Sequence, residues 1–314
     1  MAPPAALLTD LRDTVVRGSG THVADVPARH GLHPLAGGLQ NHVYAWESPA
    51  DGPICLKLYV KGNHRRRVER EWAALTLLAK HDVSGVPRPL WSDNEDSIPA
   101  IGMTLLPGTS LLESPDREAA LSGLAHTTQR LQSVPLSGLL AGLERIDSGA
   151  HYVNRLTNSW PTLLAGHEGD PMTAEMRARL TAWHDSGDAE LLNDDGTGSV
   201  FSRGDSNLLN WLRDGVISAC VDFEYSGYGT TFFDAADLIE HISARAIPDT
   251  SWIELLPELG ITPANRRHFL AAQRTCALRW LAVLWKQRHT RADQFAAQHT
   301  RVQLLQSPHT SWRG

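Results

Sequence analysis

The sequence predicts an α+β fold in two lobes: a small β-rich N-terminal lobe with one helix, then a larger, mostly helical lobe. Three observations lead there. Four strand-like runs crowd residues 42–106, Pro107-Gly108 then breaks the chain, and helical periodicity dominates beyond it. The boundary falls just before that break, giving lobes of residues 1–106 and 107–314. With 42% of its 314 residues hydrophobic, the chain is long and apolar enough for both.

Leu7, Leu8, Leu11 and Val15 share one side of residues 3–17 and predict a short amphipathic helix. The strand-like runs are 42–48, 53–60, 88–91 and 100–106, with Asp51-Gly52 as a hairpin turn between the first two. Between the second and third, residues 63–80 carry Val68, Trp72, Leu75 and Leu78 three or four apart, the stripe of a helix. Past residue 107, helical patterns cover 115–132, 151–165 and 172–186. Strand-like runs follow at 199–203, 208–212 and 216–223, with turns at 193–198 and 213–215. Helical patterns return over 234–246 and 263–305. Trp160, Trp252, Trp280 and Trp285 suit either a core or a pocket wall.

The formal charge is −6, and residues 1–106 hold 11 acidic against 11 basic side chains, so the whole excess lies in the second lobe. That balance argues against nucleic acid as a partner and mildly suits a cationic ligand. A solvated acidic surface accounts for it equally. Cys55, Cys220 and Cys276 lack metal or redox spacing and read as free thiols in a reducing, cytoplasmic setting. The N-terminus has no basic start and meets Asp10 early, unlike a secretory signal. No apolar run approaches the roughly 18–20 residues of a membrane span, so no membrane partner is expected. The expected state is a monomer or homodimer.

The stretch 201–229, FSRGDSNLLNWLRDGVISACVDFEYSGYG, carries the chemistry. Asp205 precedes Asn210 by five residues, and an apolar run then ends at Asp222-Phe223-Glu224. Phosphoryl transfer needs a carboxylate beside the attacking hydroxyl, and a second carboxylate with a neutral oxygen ligand for Mg²⁺. Asp205, Asp222 and Asn210 supply those types. Singly, each suits a turn or a cap; the spaced combination points to a site.

This combination resembles the aminoglycoside phosphotransferase and choline kinase family, which shares the protein-kinase-like bilobal fold. The resemblance covers residues 31–245. It implies that Asp205 is the catalytic base and that Asn210 and Asp222 bind Mg²⁺. It further implies a nucleotide site for ATP or GTP built from Gly37, Gly38 and Asn41 of a phosphate-covering loop, Lys57 inside an apolar strand run, and Glu71 as the lysine's partner. Glu69 is the rival. The chain has only four lysines among 29 basic residues, so Lys57 is not casual lysine usage. Met103 and Leu105 would fall in the strand and hinge lining the base pocket, Met103 also suiting the core. Downstream, Asp234 would brace the catalytic loop. Glu224, Asp237 and Glu240 are substrate-side candidates, although Glu240 reads more readily as a solvated helix charge, and Asp237 can pair with His241 four residues on. The family's usual His before Gly-Asp is Arg203 here, expected to support the loop with different packing.

These readings lead to an O-phosphotransferase acting on a small-molecule hydroxyl acceptor, first of all an antibiotic of aminoglycoside, nucleoside or peptide type. A metabolite kinase of choline, ethanolamine or amino-sugar type is the close alternative. A nucleotide-binding pseudokinase is a third reading, hinted at only by Arg203. Only eleven residues separate Asp222 from Asp234, too few for the activation segment of a protein kinase.

Overall fold

The structure, a computed structural model, describes the chain apart from residues 1–4, 18–24, 36–40, 49–51, 61–63, 95–96, 137–152, 194–197, 216, 309, 311 and 313–314. The alternation of side chains along its strands explains how the first sheet is covered. After helices α1 (Ala5–Arg17) and α2 (Asp25–Arg29) come strands β1 (Leu32–Pro34), β2 (Asn41–Ser48) and β3 (Gly52–Tyr59), helix α3 (His64–Lys80), and strands β4 (Pro89–Asp93) and β5 (Ala100–Thr104). The five strands form an antiparallel sheet in the order β1-β2-β3-β5-β4. Leu56 and Leu58 of β3 face α1, whose Leu7, Leu8 and Leu11 they bury together with Trp91. Cys55, Lys57 and Tyr59 point to the opposite face, because a strand alternates. There α3 lays down Val68, Leu75 and Leu78, all wholly buried, with Trp72 half-buried beside them. Gly102 of β5 lies against Trp91, where a Cβ would come within 2.2 Å of the indole, so the strand carries a glycine at that point.

The second part of the chain joins two small sheets to a helical body. Strand β6 (Thr109–Ser110) pairs with β8 (Trp211–Asp214), which pairs with β9 (Ile217–Cys220). Strand β7 (Val200–Ser202) pairs with β10 (Gly227–Gly229). Helix α4 (Arg117–Gln132) is capped by the Asp116 side chain, which accepts from the Ala119 N–H. The helix Arg266–Trp285 packs against Pro171–His184, Thr231–Glu240 and Ala292–Gln306. Two buried indoles are tied across this body: Trp183 donates to Thr275 and Trp285 to Thr173, both at 2.9 Å. Trp160, Trp252 and Trp285 belong to the core, while Trp280 is half-buried. Among the described residues no helix is long and apolar enough to cross a membrane.

Several expected boundaries move, each for a local reason. Residues 208–210 form a 3-10 turn rather than the start of a strand, because the Asn207 side chain accepts from the Leu209 N–H. The run 216–223 leaves the sheet after Cys220. The pattern 234–246 splits at His241, which turns extended and accepts from the Ser243 N–H through its ring Nδ1. Asp237 still acts on the His241 ring through its charge, which opposes the lowering of the ring's pKa by burial, while its carboxylate takes Ser206 and Arg279 as direct partners. The pattern 263–305 is two helices, and β1 and β6 are too short to show a period.

Glu240 differs most from expectation. It is neither solvated nor available to a ligand: it is fully buried, and its oxygens accept from Arg301 (2.6 Å), Gln273 (3.0 Å) and Arg245 (3.2 Å). Removing one partner of a buried ionic cluster strands the others. Glu240→Ala is therefore expected to lower stability by about 3–5 kcal/mol in urea unfolding. A loss below about 1 kcal/mol, the range of an exposed pair, would show that the guanidiniums re-pair without it.

Candidate active site

Lys57 occupies the middle of β3, between Val43 of β2 and Ile101 of β5. An ammonium in that position is costly unless opposite charge surrounds it. Its Nζ lies 2.7 Å from Glu71 Oε2, 2.7 Å from Asp222 Oδ1 and 3.1 Å from Glu224 Oε2. Burial would depress the lysine pKa, but Glu71 foremost, with Asp222 and Glu224, holds it well above its ordinary value. The other Glu71 oxygen accepts from the Phe223 N–H at 3.0 Å, and the Tyr59 hydroxyl also donates to this carboxylate. Burial pushes the Glu71 carboxyl up while Lys57 draws it down. Glu69 is exposed on the outer side of α3. Glu71, Asp222 and Glu224 lie close enough to share a cation, and the Lys57 ammonium already stands among them.

The second cluster is a loop folded on its own side chains. Gly204, at φ +72°, makes the bend before Asp205, in a region glycine enters without strain. Asp205 Oδ1 accepts from the Asn207 N–H at 3.0 Å and Oδ2 from Asn210 Nδ2 at 2.6 Å. The Asn210 carbonyl accepts from the Val221 N–H at 2.9 Å, which ties this loop to the segment carrying Asp222. Asp222 itself adopts φ +68°, unusual for a residue with a Cβ and tolerated best by Asp and Asn. Burial raises its carboxyl, but Lys57, through its charge and its hydrogen bond, together with Arg203 and Arg67 lowers it on balance.

Arg203 is buried beneath the loop. Its guanidinium donates to the Val221 carbonyl at 3.1 Å and lies 5.7 Å from the Trp211 ring centroid. Asp234 accepts from the Ser202 hydroxyl at 2.7 Å, and the same oxygen of Ser202 accepts from the Gly204 N–H at 3.2 Å. Burial pushes the Asp234 carboxyl up to about 7.

A cleft of about 310 Å³ lies between the two clusters, bounded by Lys57, Glu71, Asn210 and Asp222 at its polar end. Val43, Cys55, Met103, Leu105 and Leu212 give it apolar walls. The N–H groups of Thr104 and Leu105 are taken by the carbonyls of Arg88 and Pro53, so these two residues offer the cleft carbonyls and side chains. Asp205 lines a smaller cavity of about 40 Å³ with Ser202, Arg203, Asp234 and Trp211. Asp237, beyond it, accepts from the Ser206 hydroxyl at 2.7 Å and faces Arg279 at 3.4 Å.

The structure thus brings Lys57, Glu71, Asp205, Asn210 and Asp222 to one region. Gly37 and Gly38 lie outside the described residues. Asn41 lines the cleft as well, its side chain bonded to Glu224 and Arg67. Glu224 differs from expectation: it is buried against Asn41, Arg67 and Lys57 instead of facing an acceptor. Sequence reasoning missed Arg67 and Tyr59. Arg67 sits in the run Arg65-Arg66-Arg67, where periodicity with Glu71 was the only signal that it faces inward.

A family model described as phosphotransferase enzyme family matches residues 31–269. No curated protein matches the sequence. Among solved structures, the GDP complex of an aminoglycoside 2'-phosphotransferase-IIIa mutant superimposes with a TM-score of 0.64 at 14% identity, covering 90% of this chain and 93% of that one. A thermostable mutant of aminoglycoside phosphotransferase APH(4)-Ia, in ternary complex with ADP and hygromycin B, gives 0.62 at 12% identity, covering 90% and 97%. A choline/ethanolamine kinase family protein from Mesorhizobium loti gives 0.58 at 18% identity, covering 98% and 97%. At such identities these likenesses show a shared kinase-like fold, and the family model goes further. With 239 consecutive residues matched by that model, the chain belongs to the phosphotransferase enzyme family and is a small-molecule phosphotransferase.

Proposed function

We propose that the chain transfers the γ-phosphoryl group of ATP or GTP to a hydroxyl of a small molecule. The observation that carries this is the cleft whose polar end joins the Lys57–Glu71 pair to Asn210 and Asp222, with Asp205 bonded to Asn210 at its edge. In this reading residues 1–106 hold most of the nucleotide site and residues 107–314 supply the catalytic loop and the acceptor side. The neighbours solved with ADP and GDP support a nucleotide in the cleft.

Each residue then has a task. Lys57, fixed by Glu71, neutralises and orients phosphate oxygens. Asp205 has two of its roughly four lone-pair sites occupied by Asn207 and Asn210, which leaves acceptor capacity for a substrate hydroxyl. It orients that hydroxyl and takes its proton as the new P–O bond forms and the bond to the leaving diphosphate breaks. Asp222 and Asn210 offer a carboxylate and an amide oxygen, the hard donors that fit Mg²⁺, and both line the cleft. Bound there, the ion would supply charge neutralisation of the phosphates. Arg203 and Asp234 hold the loop from below.

For the acceptor, the aminoglycosides bound by the neighbours support an antibiotic. One observation favours an acceptor of lower positive charge, such as a nucleoside or peptide antibiotic or a metabolite alcohol. The carboxylates of Glu224, Asp237 and Glu240 each already face a guanidinium: Arg67, Arg279, and the pair Arg245 and Arg301.

Nucleoside diphosphate release with Mg-ATP and Mg-GTP, across a panel of antibiotics and amino alcohols, tests the reading. Acceptor-dependent release is expected; nucleotide binding without release for every acceptor would favour the pseudokinase. Asp205→Ala should lower kcat by roughly 10²–10⁴-fold with little change in nucleotide KM, and a variant with wild-type turnover would remove Asp205 from the chemistry. Lys57→Ala should raise the nucleotide KM; unchanged KM and kcat would place the lysine outside the site.

Asp234 adds a pH signature. The folded chain keeps the Asp234 proton to about pH 7, whereas the unfolded chain releases it near 3.8. Native stability from this group is complete below the lower value and is lost as pH rises toward the upper one. Asp234→Asn, always neutral, should flatten that fall when thermal unfolding is compared at about pH 4.5 and 7.5. Equal slopes in the two proteins would return Asp234 to an ordinary carboxylate.

A further inference from the structure

The buried residues beside Lys57 include a second cation. Arg67 lies one helical turn before Glu71 on α3, on the same face. Its Nη2 donates to Glu224 Oε1 at 2.7 Å and to Asn41 Oδ1 at 2.8 Å. Asn41 Nδ2 in turn donates to the other Glu224 oxygen at 2.7 Å, the oxygen that also lies 3.1 Å from Lys57 Nζ. All three side chains are buried. The guanidinium also stands 5.8 and 5.9 Å from the ring centroids of Tyr59 and Tyr225.

This closed set joins three separate segments: the first residue of β2, the first turns of α3, and the turn 222–224. Helix α3 therefore grips that turn twice, through Glu71 on the Phe223 N–H and through Arg67 on the Glu224 carboxylate. The charges balance as well. Lys57 and Arg67 face Glu71 and Glu224, two cations against two carboxylates, which leaves the charge of Asp222 over.

We infer that Asn41, Arg67 and Glu224 form a positioning clamp for the nucleotide phosphates, in which Glu224 serves as a standing counter-charge to Lys57 rather than as a metal ligand or an acceptor contact. With Glu224 in place, Lys57 keeps a buried partner when Asp222 turns to the cleft, and the start of β2 stays at a fixed height over the phosphates. A planar, always-charged guanidinium suits this forked role better than an ammonium. The inference rests on the phosphotransferase reading above, and its test is arranged to separate the two.

Binding of ADP and of GDP is measured by calorimetry without any acceptor, first without Mg²⁺ and then across a Mg²⁺ titration. Arg67→Met and Glu224→Gln are each expected to raise the Kd about 10-fold. The double variant should be little worse than either single, because both remove one coupled contact. The Mg²⁺ midpoint should stay where it is in all three. Asn41→Ala, which keeps every charge, should also weaken binding and serves if the charge variants fail to fold. Additive losses, an unchanged Kd, or a Mg²⁺ midpoint that moves for Glu224→Gln and not for Arg67→Met would overturn the clamp and leave the phosphotransferase reading standing. A wild-type chain that binds neither nucleotide would overturn both.

Discussion

The contact of Lys57 Nζ with Glu71 Oε2 lies where the first sheet, helix α3 and the 222–224 turn converge. A lysine inside a strand core is tolerable only with carboxylates around it, and the three that surround it arrive from two separate segments. Their arrival fixes much else. Glu71 draws α3 against the sheet, its second oxygen holds the Phe223 backbone, and Asp222 is thereby set beside Asn210. Desolvation makes the arrangement demanding, since removing Glu71 or Glu224 leaves a cation short of a partner in a dry place. The same desolvation makes it selective about geometry, because a low dielectric magnifies each misplacement.

The helical body follows a related rule at a distance from the cleft. Arg301 and Arg245 close on Glu240, Arg274 closes on Asp188, and Arg288 closes on Asp170. A formal excess of acid in this half of the chain therefore says little about a ligand's charge. The carboxylates that composition counts as available are, in these cases, internal partners of arginines that pack along indole rings, as Arg288 does on Trp285 and Arg301 on Trp312.

Much of the fold was legible because its signals are local. The apolar run of β3, the three-and-four spacing of α3 and the Pro107-Gly108 break are each local to a short stretch of chain. The spacing of Asp205, Asn210 and Asp222 was legible because a loop and a turn carry all three within eighteen residues. The rest depends on contacts between distant segments. Arg67 and Glu224 are 157 positions apart, and within the basic run only the four-residue spacing to Glu71 marks Arg67 as the arginine that is buried. Glu240 looked like a helix-surface charge because its partners lie on other helices, among them Arg301. His241 ends its helix through a side chain bonding to its own backbone neighbourhood, a choice that hydrophobic periodicity does not record.

Arg203 puts a guanidinium where the resembled family usually has an imidazole, beneath the loop that carries Asp205, and there it reaches the carbonyl of Val221 and lies over Trp211. A histidine prop would gain and lose its charge within the physiological range, and its grip on a carbonyl would depend on tautomer. The arginine's five donors and permanent charge do neither. The loop that carries Asp205 is consequently held by a strut indifferent to acidity, so a fall in pH does not loosen it through this position.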